Sequence, residues 1–117
     1  MTASILGFLS VAIGAFAAHG LKSKLSEYHL GIFQTGVQYQ FYHTFALAIV
    51  GLLMLRSPTP MLRGSGIAFF VGILVFSGSL YLLALTKMKW LGAITPIGGL
   101  CFLVGWVLLS IAVCRSV

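Results

Sequence analysis

The placement of charged side chains constrains this chain more than any other feature. Seven Lys or Arg and one Glu are the only formal charges in 117 residues. They fall in four clusters: Lys22, Lys24 and Glu27; Arg56 and Arg63; Lys87 and Lys89; and Arg115. Four long uncharged intervals separate them, 1–21, 28–55, 64–86 and 90–114. Each is at least as long as the roughly 20 residues with which a helix crosses about 30 Å of hydrocarbon. A hydrophobic share of 60% and a mean hydropathy of +1.11 exclude a water-soluble globular domain, where about a quarter of residues are charged. The expected architecture is all-α, an integral membrane bundle of four transmembrane helices forming one domain over residues 1–117.

The net charge of +6 would point to nucleic acid on a soluble protein. Here the basic residues sit at the ends of apolar runs, where they anchor a helix at the headgroups, so the expected partner is the lipid bilayer and not nucleic acid. Cys101 and Cys114 share one predicted helix and lie roughly 20 Å apart at about 1.5 Å per residue. That separation excludes a disulfide within one chain and, without neighbouring His or Cys, a zinc site. Residues 5–17, ending in Ala15-Phe16-Ala17, imitate a signal peptide, but no basic segment precedes them, so this stretch is expected to be a retained span.

Boundaries follow from local chemistry. The spans are expected at 3–21, 34–55, 66–86 and 96–114, with residues 28–33 as an interfacial approach to the second. Pro58 and Pro60 stop the second span. Thr95 as N-cap with Pro96 at the first helical position starts the fourth, the alternative being a proline-kinked helix running from Trp90. Gly7, Ser10, Gly14 and Ala18 share one face of the first helix, and Gly98, Cys101, Gly105 and Ala112 form a second small-residue stripe; such faces let another backbone approach closely. Loops one and three hold four Lys or Arg against three at the other end, a bias of one that places both termini outside the cytoplasm.

One polar constellation stands out, at the entrance to the second span. At 100° per residue, Gln34, Thr35, Gln38, Tyr39, Tyr42 and His43 fall within one half of the helix, with Gln40 and Thr44 pointing the other way. Such a row is costly against lipid and is expected to face other helices. The candidate intramembrane cluster is therefore Thr35, Gln38, Tyr39, Tyr42 and His43, completed by Ser77 and Tyr81 of the third span. His43 is expected near the midplane in its uncharged form, one ring nitrogen donating and the other accepting. It either serves a small-molecule path or ties the helices together by hydrogen bonds worth only about 0.6 kcal/mol each. No intramembrane carboxylate completes a proton relay, and His19 and His43 lie at different depths, against a bis-histidine haem.

These residues carry a resemblance. The stretches 14–22, 33–36 with 39–43, 76–81, and 94–99 with Gly105-Trp106 resemble the DUF423 (YgdD-like) family of small bacterial inner-membrane proteins, related to the mitochondrial transmembrane protein 256. Ala17 departs from the glycine of that family's first motif. The resemblance implies four transmembrane helices and a multi-pass location in the bacterial inner membrane; it brings no activity and no catalytic residue.

The expected function is that of a non-enzymatic accessory, assembly or structural component, with other membrane proteins or a second copy of itself as partner and no cofactor. The alternative is a small transporter or channel with a polar path along Tyr39 and His43. A haem or quinone site ranks third.

Overall fold

Ser26 and Thr59 set the first turns of two helices. Ser26 Oγ accepts the His29 amide at 3.2 Å, and Thr59 Oγ1 accepts the Leu62 amide at 3.1 Å, each satisfying a donor that the helix itself leaves open. Pro60 follows Thr59 in the first turn, where its missing N–H costs nothing. The computed structural model describes residues 1–116, with side chains through Arg115. Along them run α1 (Thr2–Leu21), α2 (Glu27–Arg56), α3 (Pro60–Thr86) and α4 (Thr95–Ser116), the last entered through a 3-10 turn over Lys89–Ala93. No strand occurs among the described residues.

Three rods, Thr2–Leu21, Pro60–Thr86 and Lys89–Arg115, are long and apolar enough to cross a membrane. The 30-residue α2 is the longest single helix, but its polar stretch from Gln34 to His43 dilutes its hydropathy, so apolarity singles out three rods where the charge pattern predicts four spans.

Three expected boundaries move. The second helix starts at Glu27 and runs unbroken through residues 28–33, because Ser26 caps it and Glu27 lies favourably beside its positive end. The third starts at Pro60, six residues ahead of the expected 66, because Thr59-Pro60 is a start signal as well as a stop for α2. The fourth begins at Thr95, close to expectation, but Thr95 is no cap. Its hydroxyl lies 2.6 Å from that of Ser79 and 3.3 Å from the Leu91 carbonyl, while Pro96 takes the second helical position. The C-terminus of α3 is closed by Lys87 in the left-handed conformation (φ 61°), its amide on the Leu83 carbonyl.

Two of the rods contain a π-helical turn, Ala17–Leu21 in α1 and Ile73–Ser77 in α3. In the second, the Gly78 amide reaches the Ile73 carbonyl, five residues back. The buried face of α1 runs through Ser10, Ala17 and Leu21 at regular helical spacing, with Ala17 1% exposed, whereas Ala18 of the expected stripe faces outward.

Consecutive rods pack antiparallel. Ser10 is buried, and Gly7 and Gly14 meet Thr44 and Val37 of α2, so this stripe forms an intramolecular seam. The tightest seam joins α3 to α4. A Cβ on Gly98 would stand 2.3 Å from the Phe76 backbone nitrogen, and one on Gly105 would stand 2.7 Å from the Phe69 ring, so only glycine admits both approaches. Ser65 Oγ donates to the Gly105 carbonyl at 2.8 Å across the same seam. Leu6, Val50, Leu62, Phe69, Ile73 and Phe102 belong to the larger core; Ala17, Leu21, Phe33 and Ala84 form a smaller one at the opposite end.

Candidate functional site

The polar residues of α2 divide between two faces, and the division departs from the expected one except at His43, which is buried as expected. Gln34, Gln38 and Tyr42 are exposed on the outer surface, and Tyr39 is 38% exposed. Gln40 and Thr44, expected to point away, are buried at 3% and 7% exposure. A helical wheel fixes which residues share a face but not which face meets a neighbour. The small-residue stripe of α1 decides that here, by coming close to the column of Val37, Gln40 and Thr44.

Gln40 is the hub of the buried polar network. Its Nε2 donates to the Leu6 carbonyl of α1 at 3.1 Å, and its Oε1 accepts the Tyr81 hydroxyl of α3 at 2.6 Å. Thr44 Oγ1 donates to the Gln40 carbonyl at 2.6 Å, and Ser10 Oγ to the Leu6 carbonyl at 2.8 Å. Ser77, fully buried, donates to the Gly36 carbonyl at 2.7 Å. The Tyr81 ring packs against Gly36, where a Cβ would come within 2.8 Å of it, and on Phe33 with centroids 4.9 Å apart. Ser77 and Tyr81 therefore join α3 to α2 as expected, but through Gly36 and Gln40. Thr35 bonds the Gly31 carbonyl of its own helix and reaches no other. No buried polar side-chain atom among the described residues lacks a partner.

His43 belongs to a separate, aromatic cluster. A carbonyl can only accept, so the 2.8 Å bond between His43 Nδ1 and the Tyr39 carbonyl puts the ring proton on Nδ1. The imidazole stacks on Phe102 of α4 with centroids 3.5 Å apart and planes within 6°. Tyr39 stacks near it on one side, and Trp106 stands edge-on at 6.0 Å on the other. The expected bonds from His43 to Ser77 or Tyr81 are not made, because α4 and not the polar face of α3 covers this part of α2. Together these rings, with Phe76 and Leu103, line a groove of about 560 Å³ on the outer surface between α2 and α4.

The cluster predicted from sequence is thus split. Ser77 and Tyr81 are buried ties, Tyr39 and His43 line the groove, Thr35 is satisfied locally, and Gln38 and Tyr42 face outward. Gln40 lies on the face opposite to the one expected, and its spacing of four from both Gly36 and Thr44 marks the column that the neighbouring helix approaches.

A family model described as "Protein of unknown function (DUF423)" matches residues 13–99. The UPF0382 membrane protein YwdK of Bacillus subtilis (strain 168) is 42% identical over 110 residues, which cover 93% of this chain and 89% of that one. The UPF0382 inner membrane protein YgdD of Escherichia coli (strain K12) is 39% identical over 113 residues, 97% of this chain and 86% of that one. A UPF0382 membrane protein of Staphylococcus epidermidis (strain ATCC 12228) is 46% identical over 104 residues, 89% and 84% of the two chains. No solved structure matches.

Proposed function

The chain belongs to the DUF423 family of proteins of unknown function, and from that membership we propose a four-span, non-enzymatic component of the bacterial inner membrane, serving as an accessory or structural partner within the bilayer. The membrane names of the relatives and the three apolar rods make it a multi-pass membrane protein. The fourth span is α2: its neighbours α1 and α3 run antiparallel to it and are joined to it by short loops, and its buried polar groups are satisfied inside the bundle.

The observation that carries the non-enzymatic reading is the closed network around Gln40. The polar side chains around Gln40 each bond another helix or their own backbone, the pattern of ties between helices. The outward surface carries Phe8, Phe45, Leu52, Leu74, Leu100 and Val107, a face suited to lipid or to another membrane helix. The loops between the rods are too short to form a docking domain for a soluble protein.

Two measurements test this. Reporter fusions at the two termini should place both ends on the same side of the membrane, and opposite sides would refute four spans. Extraction in mild detergent followed by mass determination should give a complex larger than one 12.5 kDa chain, and a strict monomer would refute the accessory reading.

A further inference from the structure

His43 combines two properties that the packing of the bundle does not require. The residue is 7% exposed, yet among the described residues only one of its ring nitrogens is engaged, Nδ1 as donor to the Tyr39 carbonyl. Among the described residues Nε2 finds no hydrogen-bond partner, and it is not one of the sealed polar atoms, since none of those lacks a partner. It therefore reaches the groove that His43 lines. With the ring proton held on Nδ1, Nε2 offers a lone pair and can only accept. A lone pair left unmatched in an apolar setting is costly, and lipid tails carry no donor to match it.

The rest of the groove specifies what would bring the donor. Its walls are Tyr39, Phe76, Phe102 and Trp106, faces on which a planar ring stacks favourably. It lies on the outer surface between α2 and α4, and the exposed Leu100 and Leu103 on its rim would meet acyl chains under the four-span reading. An occupant must be planar, carry a hydroxyl or N–H donor, and arrive through hydrocarbon. We propose that this groove binds the reduced head of a lipid-soluble quinone, a quinol, with one hydroxyl donating to His43 Nε2. The oxidised quinone has only carbonyl acceptors and presents a lone pair to a lone pair at that position. The site thus selects the reduced over the oxidised form. The inference rests on the membrane-embedded reading but not on the non-enzymatic one, and a wrong topology would show in the terminal reporters before any ligand is added.

The test uses the full chain in nanodiscs of quinone-free lipid. Trp90→Phe leaves Trp106 as the only tryptophan, placed in the groove wall as a fluorescent reporter. Decylubiquinol should quench or shift Trp106 emission saturably, and the oxidised form should bind about tenfold more weakly, the loss of one hydrogen bond to a buried acceptor. His43→Gln should bind both forms alike, because an amide can turn to donate or accept. Leu103→Phe, on the exposed rim, should abolish saturable binding of the quinol by filling the groove mouth while leaving the thermal melt of the helices unchanged and Trp106 the sole reporter. Binding that does not saturate, or that survives Leu103→Phe, overturns the site. Equal binding of the two redox forms by the parent chain overturns the role of Nε2. Displacement of the quinol by added phosphatidylglycerol at matched lipid fraction reassigns the groove to a lipid headgroup and also overturns the proposal.

Discussion

The hydroxyl of Tyr81 donates to the side-chain carbonyl of Gln40 at 2.6 Å, and through the other end of the same amide α3 is linked to α1. Gln40 is thereby fixed in one orientation, Oε1 toward α3 and Nε2 toward α1. A double-mutant cycle of Gln40→Leu and Tyr81→Phe should return a coupling of about 0.6 kcal/mol or more, up to about 1.7, the average and the upper end measured for interhelical hydrogen bonds in a membrane bundle. Stability in detergent would be measured by denaturation in mixed micelles. A coupling of zero would mean that the two groups do not hold one another.

Glycine substitutions should separate close approach from mere helix propensity. Gly98→Ala places a methyl group 2.3 Å from the Phe76 nitrogen, a backbone atom that cannot step aside, so α3 and α4 must part and thermal stability in detergent must fall. Gly51→Ala and Gly78→Ala meet nothing within 4 Å and should raise stability by about 0.4 to 1 kcal/mol through lower unfolded-state entropy. Equal effects at the three positions would contradict the seam.

Gly14→Leu tests the other seam. Even a Cβ at this position would lie 3.2 Å from Val37, so the larger side chain should overpack α1 against α2 and cost about 1 to 3 kcal/mol. An unchanged melting temperature would show that α1 does not depend on this contact.

The two Thr-Pro dipeptides should respond differently to the same change. Thr59→Ala removes the acceptor of the Leu62 amide and should cost about 1 kcal/mol. Thr95→Ala removes no cap; its effect should appear as coupling to Ser79→Ala in a double-mutant cycle, because the two hydroxyls share one hydrogen bond. Coupling for Thr95 with no loss for Thr59 would invert the assignment.

The all-helical architecture and the approximate length of every rod were legible from charge spacing, because an uncharged run of that length has few other solutions. Helix starts were legible only where one residue had one role. Thr95-Pro96 carries the same signal as Thr59-Pro60, and nothing local distinguishes the cap from the hydroxyl that turns to Ser79 on another helix. The faces of α2 misled for a related reason. Counting polar groups selects the side with Gln34, Gln38 and Tyr42, whereas burial follows the side that α1 can approach, where one glutamine finds both its partners. The small-residue stripe through Gly98 and Gly105 marked the close approach of α4 to α3, but not which ring of α4 would stack on His43, a residue far from Phe102 in sequence.

The π-helical turn at Ile73–Ser77 bears on how this gene can change in length. Before the turn α3 faces α4 through Phe69 and Gly72; from its last residue onward Ser77 and Tyr81 face α2, while Ser79 keeps a hydroxyl contact with Thr95 of α4. A π turn holds one residue more than an α turn, so removing one residue within 73–76 would let the helix relax to regular α geometry with the faces on either side still in register. Tyr81 would stay turned to Gln40. The same frame-preserving deletion in the regular helix before the turn would rotate one half of the rod by about 100° against the other and pull Ser77 and Tyr81 from Gly36 and Gln40. The rod thus holds one place where the chain can shorten by a residue without uncoupling its two ends.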